Sequence, residues 1–384
     1  MSGSMALPSE IHILIVVYGE KYCQTMSEIT LPNVCGLIST VPENIKKIFK
    51  VRIVTTPEDK DRVLECTSIK AIREHIPVEI ADSLTLSGYE QFGGYGPMVV
   101  AQAKAVYEAS LINAAIIFVG PDIFFSKSSF ETIVRQMEEG RRIIVGPSLR
   151  AISEKAKPTL LNHIKSSTNQ TLLMDGSDVV KFVMDHWHPE NDLFWWNKAD
   201  SAVWKAYLYY KVSSSSLLMK FIQGPTFFAW PLRPTENFEG WIDHSLVLHC
   251  ASKSDDVYIV QDSDELICCD LTSQESLPEP PLTRFRELDL IGQCFHKNHI
   301  NRMNLRYALK FCLVHANDDS PDLNKHKRKF QREVNPIIYL AIAIRPFRRA
   351  ILLAGRKFGY SRIVRKLTKL ILLPIGYIAG IFNK

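Results

Sequence analysis

Short apolar runs rich in β-branched residues alternate with longer helical stretches through residues 10–150. Runs of this kind are typical of buried strands, and their alternation with helices predicts a mostly parallel sheet. The predicted strands are 11–17, 51–57, 77–81, 115–119 and 142–146. The predicted helical stretches lie at 20–37, 59–75, 98–112 and 128–139.

The pattern is less regular in the second half of the chain. A helix is predicted at 176–186, and the aromatic cluster after it is more typical of a core than of a sugar platform. Further strands are predicted at 217–221, 226–230, 246–250, 257–260 and 266–269, with a helical region at 284–315. We therefore expect an α/β fold with a Rossmann-like, mostly parallel central sheet and an α-helical basic C-terminal region.

Composition and cysteine usage favour an ordinary folded protein. Hydrophobic residues make up 46% of the chain and charged residues 23%, so no long disordered tract is expected. The eight cysteines show no zinc-ligand spacing, which predicts reduced, buried thiols in a cytoplasmic protein. The first five residues lack the features of a signal peptide.

Charge is divided unevenly along the chain. Residues 323–384 contain fifteen Lys or Arg and one acid, a net charge of +14, whereas the remainder carries −9. Basic residues among apolar blocks predict an amphipathic tail on an anionic membrane surface, and the last apolar run, 370–382, is too short to span a bilayer. Packing on the α/β domain or a homodimer interface are alternatives. Nucleic acid is disfavoured because the apolar blocks are too extensive for a solvated arm.

The ends of the predicted strands mark a candidate site. In open parallel sheets, ligands bind beyond the carboxyl ends of the strands, near the point where strand order reverses. This rule selects Tyr18, Gly19, Thr55, Thr56, the glycine loop with Gly94, and Asp122. The glycine loop can offer N–H groups to a phosphate, or it can be a tight turn. Asp122 can hold Mg or Mn together with phosphate oxygens, or it can cap the turn that follows.

The strand order, these strand ends and the segment 118–126 resemble the GT-A glycosyltransferases. The resemblance covers residues 10–315 and extends to bacterial glycosyltransferase-like proteins with a Pro-Asp at this point. It implies a GT-A-like fold in which 10–150 bind a nucleotide-sugar and 151–315 form the acceptor-side half of the same catalytic domain. Asp122 would hold the donor diphosphate through Mg or Mn. The usual Asp-x-Asp is absent, since Gly120 stands where its first acid would be.

The same resemblance suggests an acceptor side at 241–244 and 260–265. Trp241 and His244 are candidate acceptor-binding residues, because rings stack on sugars and polar groups bind their hydroxyls. Asp243 is the first choice for the general base and Asp264 the second. Both acids can instead be turn residues. The stretch 262–265 lacks calcium-loop spacing, so a solvated hairpin turn is the favoured interpretation there.

Together these features predict an enzyme that moves a sugar from a nucleotide-sugar to a surface-glycan or lipid-linked acceptor. We expect the chain to lie in the cytoplasm, peripherally on the inner face of the cell membrane. A sugar nucleotidyltransferase is one alternative, although the segment 18–21 offers a single lysine where such enzymes carry a glycine- and Arg/Lys-rich loop. A non-catalytic glycan-binding or scaffold protein is the other, because the first acid of the metal motif is missing.

Overall fold

The computed structural model describes residues 7–85, 95–197, 207–222, 224–234, 246–247, 249–276, 307–316 and 322–344. The strands are β1 Ile11–Val16, β2 Phe49–Val54, β3 Val78–Ala81, β4 Ala115–Val119, β5 Ile123–Phe125, β6 Ile143–Val145, β7 Ser148–Ile152, β8 Tyr207–Lys211, β9 Ser216–Phe221, β10 Thr226–Ala229, β11 Val257–Ile259, β12 Cys268–Thr272 and β13 Cys312–His315. The α-helices are α1 Glu20–Thr25, α2 Leu31–Thr40, α3 Glu43–Lys46, α4 Lys60–Leu64, α5 Thr67–Arg73, α6 Gly96–Leu111, α7 Ser129–Glu138, α8 Ser153–Ser166, α9 Gly176–Asp185 and α10 Leu323–Ile344. A π-helical stretch, Met26–Thr30, joins α1 to α2.

The central sheet has seven strands in the order β11-β6-β10-β4-β1-β2-β3. Only β10 runs antiparallel to its neighbours, β4 and β6. All residues of β1 and β4 are buried, as their continuous apolar sequences predict. The expected α/β fold with a mostly parallel central sheet is therefore confirmed. Strand order reverses between β1 and β4, so this pair marks the position where ligands are expected.

Two smaller sheets lie outside the central one. The first has the order β5-β12-β7, with β12 antiparallel to β5 and parallel to β7. The second has the order β13-β9-β8 and is antiparallel throughout. Helix α10 packs against this second sheet, so the expected helical C-terminal region is present over 323–344. None of the helices in the described ranges is both long and apolar enough to cross a membrane.

Several predicted elements differ in the structure. The predicted strand 246–250 is helical at its described positions, 246–247 and 249–250. The predicted helical region 284–315 ends in strand β13, and 284–306 lie outside the described residues. Short apolar runs do not distinguish strand from helix, and β13 is a strand because the edge of β9 pairs with it. Helix α8 was not predicted because Pro158 interrupts its pattern.

Candidate functional site

The carboxyl ends of β1 and β2 are held together by one carboxylate. Asp59 Oδ2 accepts the backbone N–H of Gly19 at 2.7 Å and the hydroxyl of Thr56 at 3.1 Å. Its other oxygen accepts from Arg62 Nη1 at 2.9 Å. Gly19 has φ +81°, a conformation that favours glycine, and this lets its N–H face Asp59. Asp59 was not among the predicted site residues, although an acid three residues after Thr56 at a helix start is a recognisable capping signal.

Thr55 is buried like its neighbour Thr56, but its side-chain hydroxyl differs in its bonding. The residue is fully buried, and its Oγ1 has no hydrogen-bond partner within the described part of the chain. Its backbone N–H donates to Ala81 O at 2.8 Å, and its carbonyl accepts from Leu84 N at 3.1 Å. Thr55 therefore joins β2 to β3 and the segment that follows β3.

Asp122 follows β4 in a turn that is fixed by a buried threonine. Thr30, at the end of the π-helical stretch, donates its hydroxyl to the carbonyl oxygens of Pro121 and Ile123 at 2.9 and 3.0 Å. A Cβ at Gly120 would lie 3.2 Å from Asp122 Oδ1. The glycine in the place of the usual first acid therefore leaves room for the Asp122 carboxylate.

The second carboxylate of the site comes from β12. Asp270 is the partner of Ile123 in the β5–β12 pair, and Leu271 N donates to Asp122 O at 2.9 Å. Burial, and secondly the charge of Asp270, raise the pKa of Asp122 to about 7. Two acids 148 positions apart in the sequence therefore share one site, which no local motif could predict.

Basic side chains lie next to this carboxylate pair. Arg150 on β7 is the register partner of Asp270, and its Nε lies 3.6 Å from Asp270 Oδ2. Its Nη1 pairs with the buried Glu190. Burial by itself would lower the pKa of Arg150, but Asp270 and Glu190 raise it above its ordinary value. Lys157 on α8 donates to Thr25 Oγ1 at 2.5 Å, and its charge acts on Asp122.

Three tyrosines lie near one another, and one of them, Tyr22, lies near Asp122. Burial raises the pKa of Tyr22, and the charges of Asp122 and Asp270 raise it further, as expected for neighbouring groups. Burial and the neighbouring Tyr95 raise the pKa of Tyr18. Tyr95 is exposed and directly precedes α6. Tyrosine rings, two acids and two basic side chains therefore lie near the point between β1 and β4 where strand order reverses.

The pair Asp122 and Asp270 fits a divalent cation. Burial raises the pKa of Asp122, and the charge of the neighbouring Asp270 raises it further, since two nearby carboxylates repel. A bound Mg or Mn would offset this repulsion, and both ions prefer oxygen ligands and commonly share them with phosphates. The acids present are thus suited to the metal that the sequence analysis assigned to Asp122 alone.

A cavity of about 190 Å³ opens between β2, the segment 83–85 and one face of α6. Its polar lining includes Arg52, Lys104 and Glu108, with Arg52 Nη1 at 2.5 Å from Glu108 Oε2. Sites for whole small molecules usually measure roughly 300–1,000 Å³, so this cavity is smaller than a typical ligand site.

The predicted base Asp264 lies in the segment between β11 and β12. Its carbonyl accepts from Ser128 at 2.6 Å, and among the described residues its carboxylate lies near His315. It forms a group with Asp262 and His315 whose ligand atoms all lie within 4.8 Å of one another. His315 Nε2 lies 2.9 Å from Asp262 Oδ1 and 3.8 Å from Asp264 Oδ2. Such a group could hold a cation, although an ion pair between His315 and Asp262 also accounts for it.

The remaining predicted site residues fall outside the described residues. These are Gly94, Trp241, Asp243 and His244. Their roles stay predictions.

Comparisons with known proteins identify no family for this chain. No protein-family model and no curated protein matches this chain. Among solved structures, mouse xyloside xylosyltransferase 1 in its apo form is similar at 11% identity and a TM-score of 0.24, over 41% of this chain. This chain spans 58% of the length of that protein. A mannosyltransferase from Pyrobaculum calidifontis, in complex with GDP-Man and Mn²⁺, is similar at 10% identity and a TM-score of 0.32, over 99% of this chain and 89% of that one.

Proposed function

We propose that this protein is a glycosyltransferase that takes a sugar from a nucleotide-sugar donor. The observation that carries the proposal is the pair Asp122 and Asp270 at the point where strand order reverses. Acids at this position of an open α/β sheet are suited to a diphosphate bound through Mg or Mn. The resemblance of the segment 118–126 to GT-A enzymes supports the same assignment.

The residues around the pair have distinct parts in donor binding. Asp122 and Asp270 would hold the cation, which when bound supplies positive charge to the diphosphate leaving group. Lys157 and Arg150 add positive charge at the same place. This charge stabilises the negative charge that develops on the diphosphate as its bond to the sugar breaks. Tyr18, which follows β1, is proposed to contact the nucleotide.

An aromatic pair near the carboxylates is suited to the acceptor. Trp187 and Trp195 are half-buried and stacked, with ring centroids 5.8 Å apart, and both indole N–H groups donate to Asp192. Trp187 also forms an isolated antiparallel bridge with Ala151, the residue after Arg150. We propose that they stack on a sugar of a surface-glycan or lipid-linked acceptor. Asp243 is the proposed general base, by the resemblance alone.

Donor binding is tested by calorimetry and thermal unfolding with a panel of nucleotide-sugars, with and without Mn²⁺. We expect one donor to stabilise the wild type by about 3 kcal/mol at a concentration near 100 times its Kd. Asp122→Asn and Asp270→Asn should each weaken Mn²⁺-dependent binding at least about tenfold, a loss of about 1.4 kcal/mol. Asp185→Asn, at an exposed acid at the end of α9, is the matched control and should bind like the wild type.

Three outcomes would contradict the proposal. No donor in the panel stabilises the wild type, or Asp270→Asn binds the donor as tightly as the wild type does. The third is release of pyrophosphate from a nucleoside triphosphate and a sugar 1-phosphate, which would identify a nucleotidyltransferase.

A further inference from the structure

Helix α10 is attached to the body of the protein along its apolar side. Phe330, Val334 and Ile338 are completely buried in a cluster with residues of β8 and β9. The rings of Phe330 and Tyr210 have centroids 5.0 Å apart. Because the fold already uses this side, α10 cannot also insert it into a bilayer.

Polar contacts fix the rotation of α10 about its axis. Trp196 Nε1 donates to Glu333 Oε2 at 2.8 Å. Beneath the helix, the fully buried Lys220 of β9 donates to the carbonyl oxygens of Ala308 and Leu309 at 3.1 and 2.8 Å, and its Nζ lies 5.6 Å from the Phe330 ring centroid. The side of α10 that faces outward is therefore set by the fold.

Four cations occupy this outer side in the first half of α10. The group, here named the basic stripe, consists of Lys325, Arg328, Lys329 and Arg332, all of them exposed. Their spacing, i, i+3, i+4 and i+7, places them on one helix face. Tyr339, seven residues after Arg332 and 56% exposed, continues the same side. Glu333, the single acid in the helix, bonds to Trp196, and the exposed Asp322 directly precedes the helix.

We propose that the basic stripe docks the protein on an anionic bilayer surface, with α10 lying along the headgroups. The charge of the stripe is complementary to anionic lipid, and its flat, fixed array suits a planar partner. Residues 345–384 follow directly and add ten Lys or Arg and no acid, separated by apolar blocks that suit a lipid interface better than nucleic acid. This proposal does not depend on the reaction that the protein performs.

Because the contact through α10 is electrostatic, its contribution to the partition coefficient and its dependence on salt can be predicted. Each Lys or Arg near an anionic surface multiplies the partition coefficient roughly fivefold, equivalent to about 1 kcal/mol. If two of the four cations reach headgroups, removing the stripe should lower the partition coefficient about 30-fold. High salt should also lower the partition coefficient, because dissolved ions screen the charge of the stripe.

The test is co-sedimentation of the full chain with phosphatidylcholine vesicles, with and without phosphatidylglycerol. The stripe variant carries Lys325→Gln, Arg328→Gln, Lys329→Gln and Arg332→Gln. The matched control loses the same charge at four exposed cations elsewhere, through Lys70→Gln, Arg73→Gln, Lys165→Gln and Lys181→Gln. Circular dichroism and thermal unfolding of both variants confirm that the fold is kept. A parallel titration uses duplex DNA.

A large loss of binding to phosphatidylglycerol vesicles in the stripe variant, with the control within about twofold of the wild type, would support the proposal. An equal loss in both variants would overturn it, because net charge alone would then explain binding. Unchanged vesicle binding by the stripe variant would also overturn it. So would a stripe variant that loses binding to DNA but not to vesicles.

Discussion

Asn33 provides a direct test of how strand β5, which follows the Asp122 turn, is held in place. Strand β5 lies at the edge of its sheet, and the Asn33 side chain pairs with its free side as a neighbouring strand would. Asn33 Nδ2 donates to the carbonyl oxygens of Phe125 and Leu172, and Asn33 Oδ1 accepts from Phe125 N, all at 2.9 Å. Asn33 is 1% exposed, and both partner residues are completely buried.

Asn33→Leu keeps the approximate volume and removes all three hydrogen bonds. Three buried backbone groups then lose a partner, at roughly 1 kcal/mol each, so we expect the free energy of unfolding to fall by about 3 kcal/mol. The matched control is Asn197→Leu, because Asn197 also bonds to both the N–H and the carbonyl of one strand residue, Lys211. Asn197 is exposed, so water replaces its bonds, and the expected loss is below about 0.5 kcal/mol.

The assay is equilibrium unfolding in urea, followed by circular dichroism and tryptophan fluorescence. The free energy of unfolding is extrapolated to water for the wild type and both variants. A loss below about 1 kcal/mol in Asn33→Leu would refute the reasoning, because buried backbone groups would then find other partners. Equal losses in both variants would refute it as well, since burial would not matter.

Two further predictions concern buried charges. Burial lowers the pKa of Lys220 from its ordinary 10.5 to about 7, so above pH 7 the unfolded chain binds a proton that the folded protein lacks. The free energy of unfolding of the wild type relative to Lys220→Met should therefore rise by about 1 kcal/mol per unit between pH 7 and 9 in urea titrations, and a flat difference would exclude this account. Arg150→Met leaves the buried Glu190 unpaired, at a cost of about 2 kcal/mol, and adding Glu190→Gln should recover more than half of it. Additive losses in a double-mutant cycle would show that the pair does not interact.

Elements with a local physical cause could be predicted from the residues alone. Continuous apolar runs predicted β1 and β4 because a strand buried on both faces needs apolar side chains at every position. The position of Asp122 followed from the same run, since the residue lies just beyond a predicted strand end. The division of charge that sets α10 and the segment after it apart is likewise a property of composition.

Contacts between residues far apart in the chain became visible only in the folded protein. Asp270 reaches Asp122 because β12 pairs with β5, and this register depends on packing that no neighbouring residue encodes. The strand β13 was wrongly predicted as helix for a related reason. A short apolar run can form either element, and here it pairs with the edge of β9 as a strand. The apolar side of α10 has the pattern of a membrane-surface helix and equally of a packed one. Contact with β8 and β9 settled that choice for 323–344, because the apolar side of the helix is buried there and its basic side is exposed.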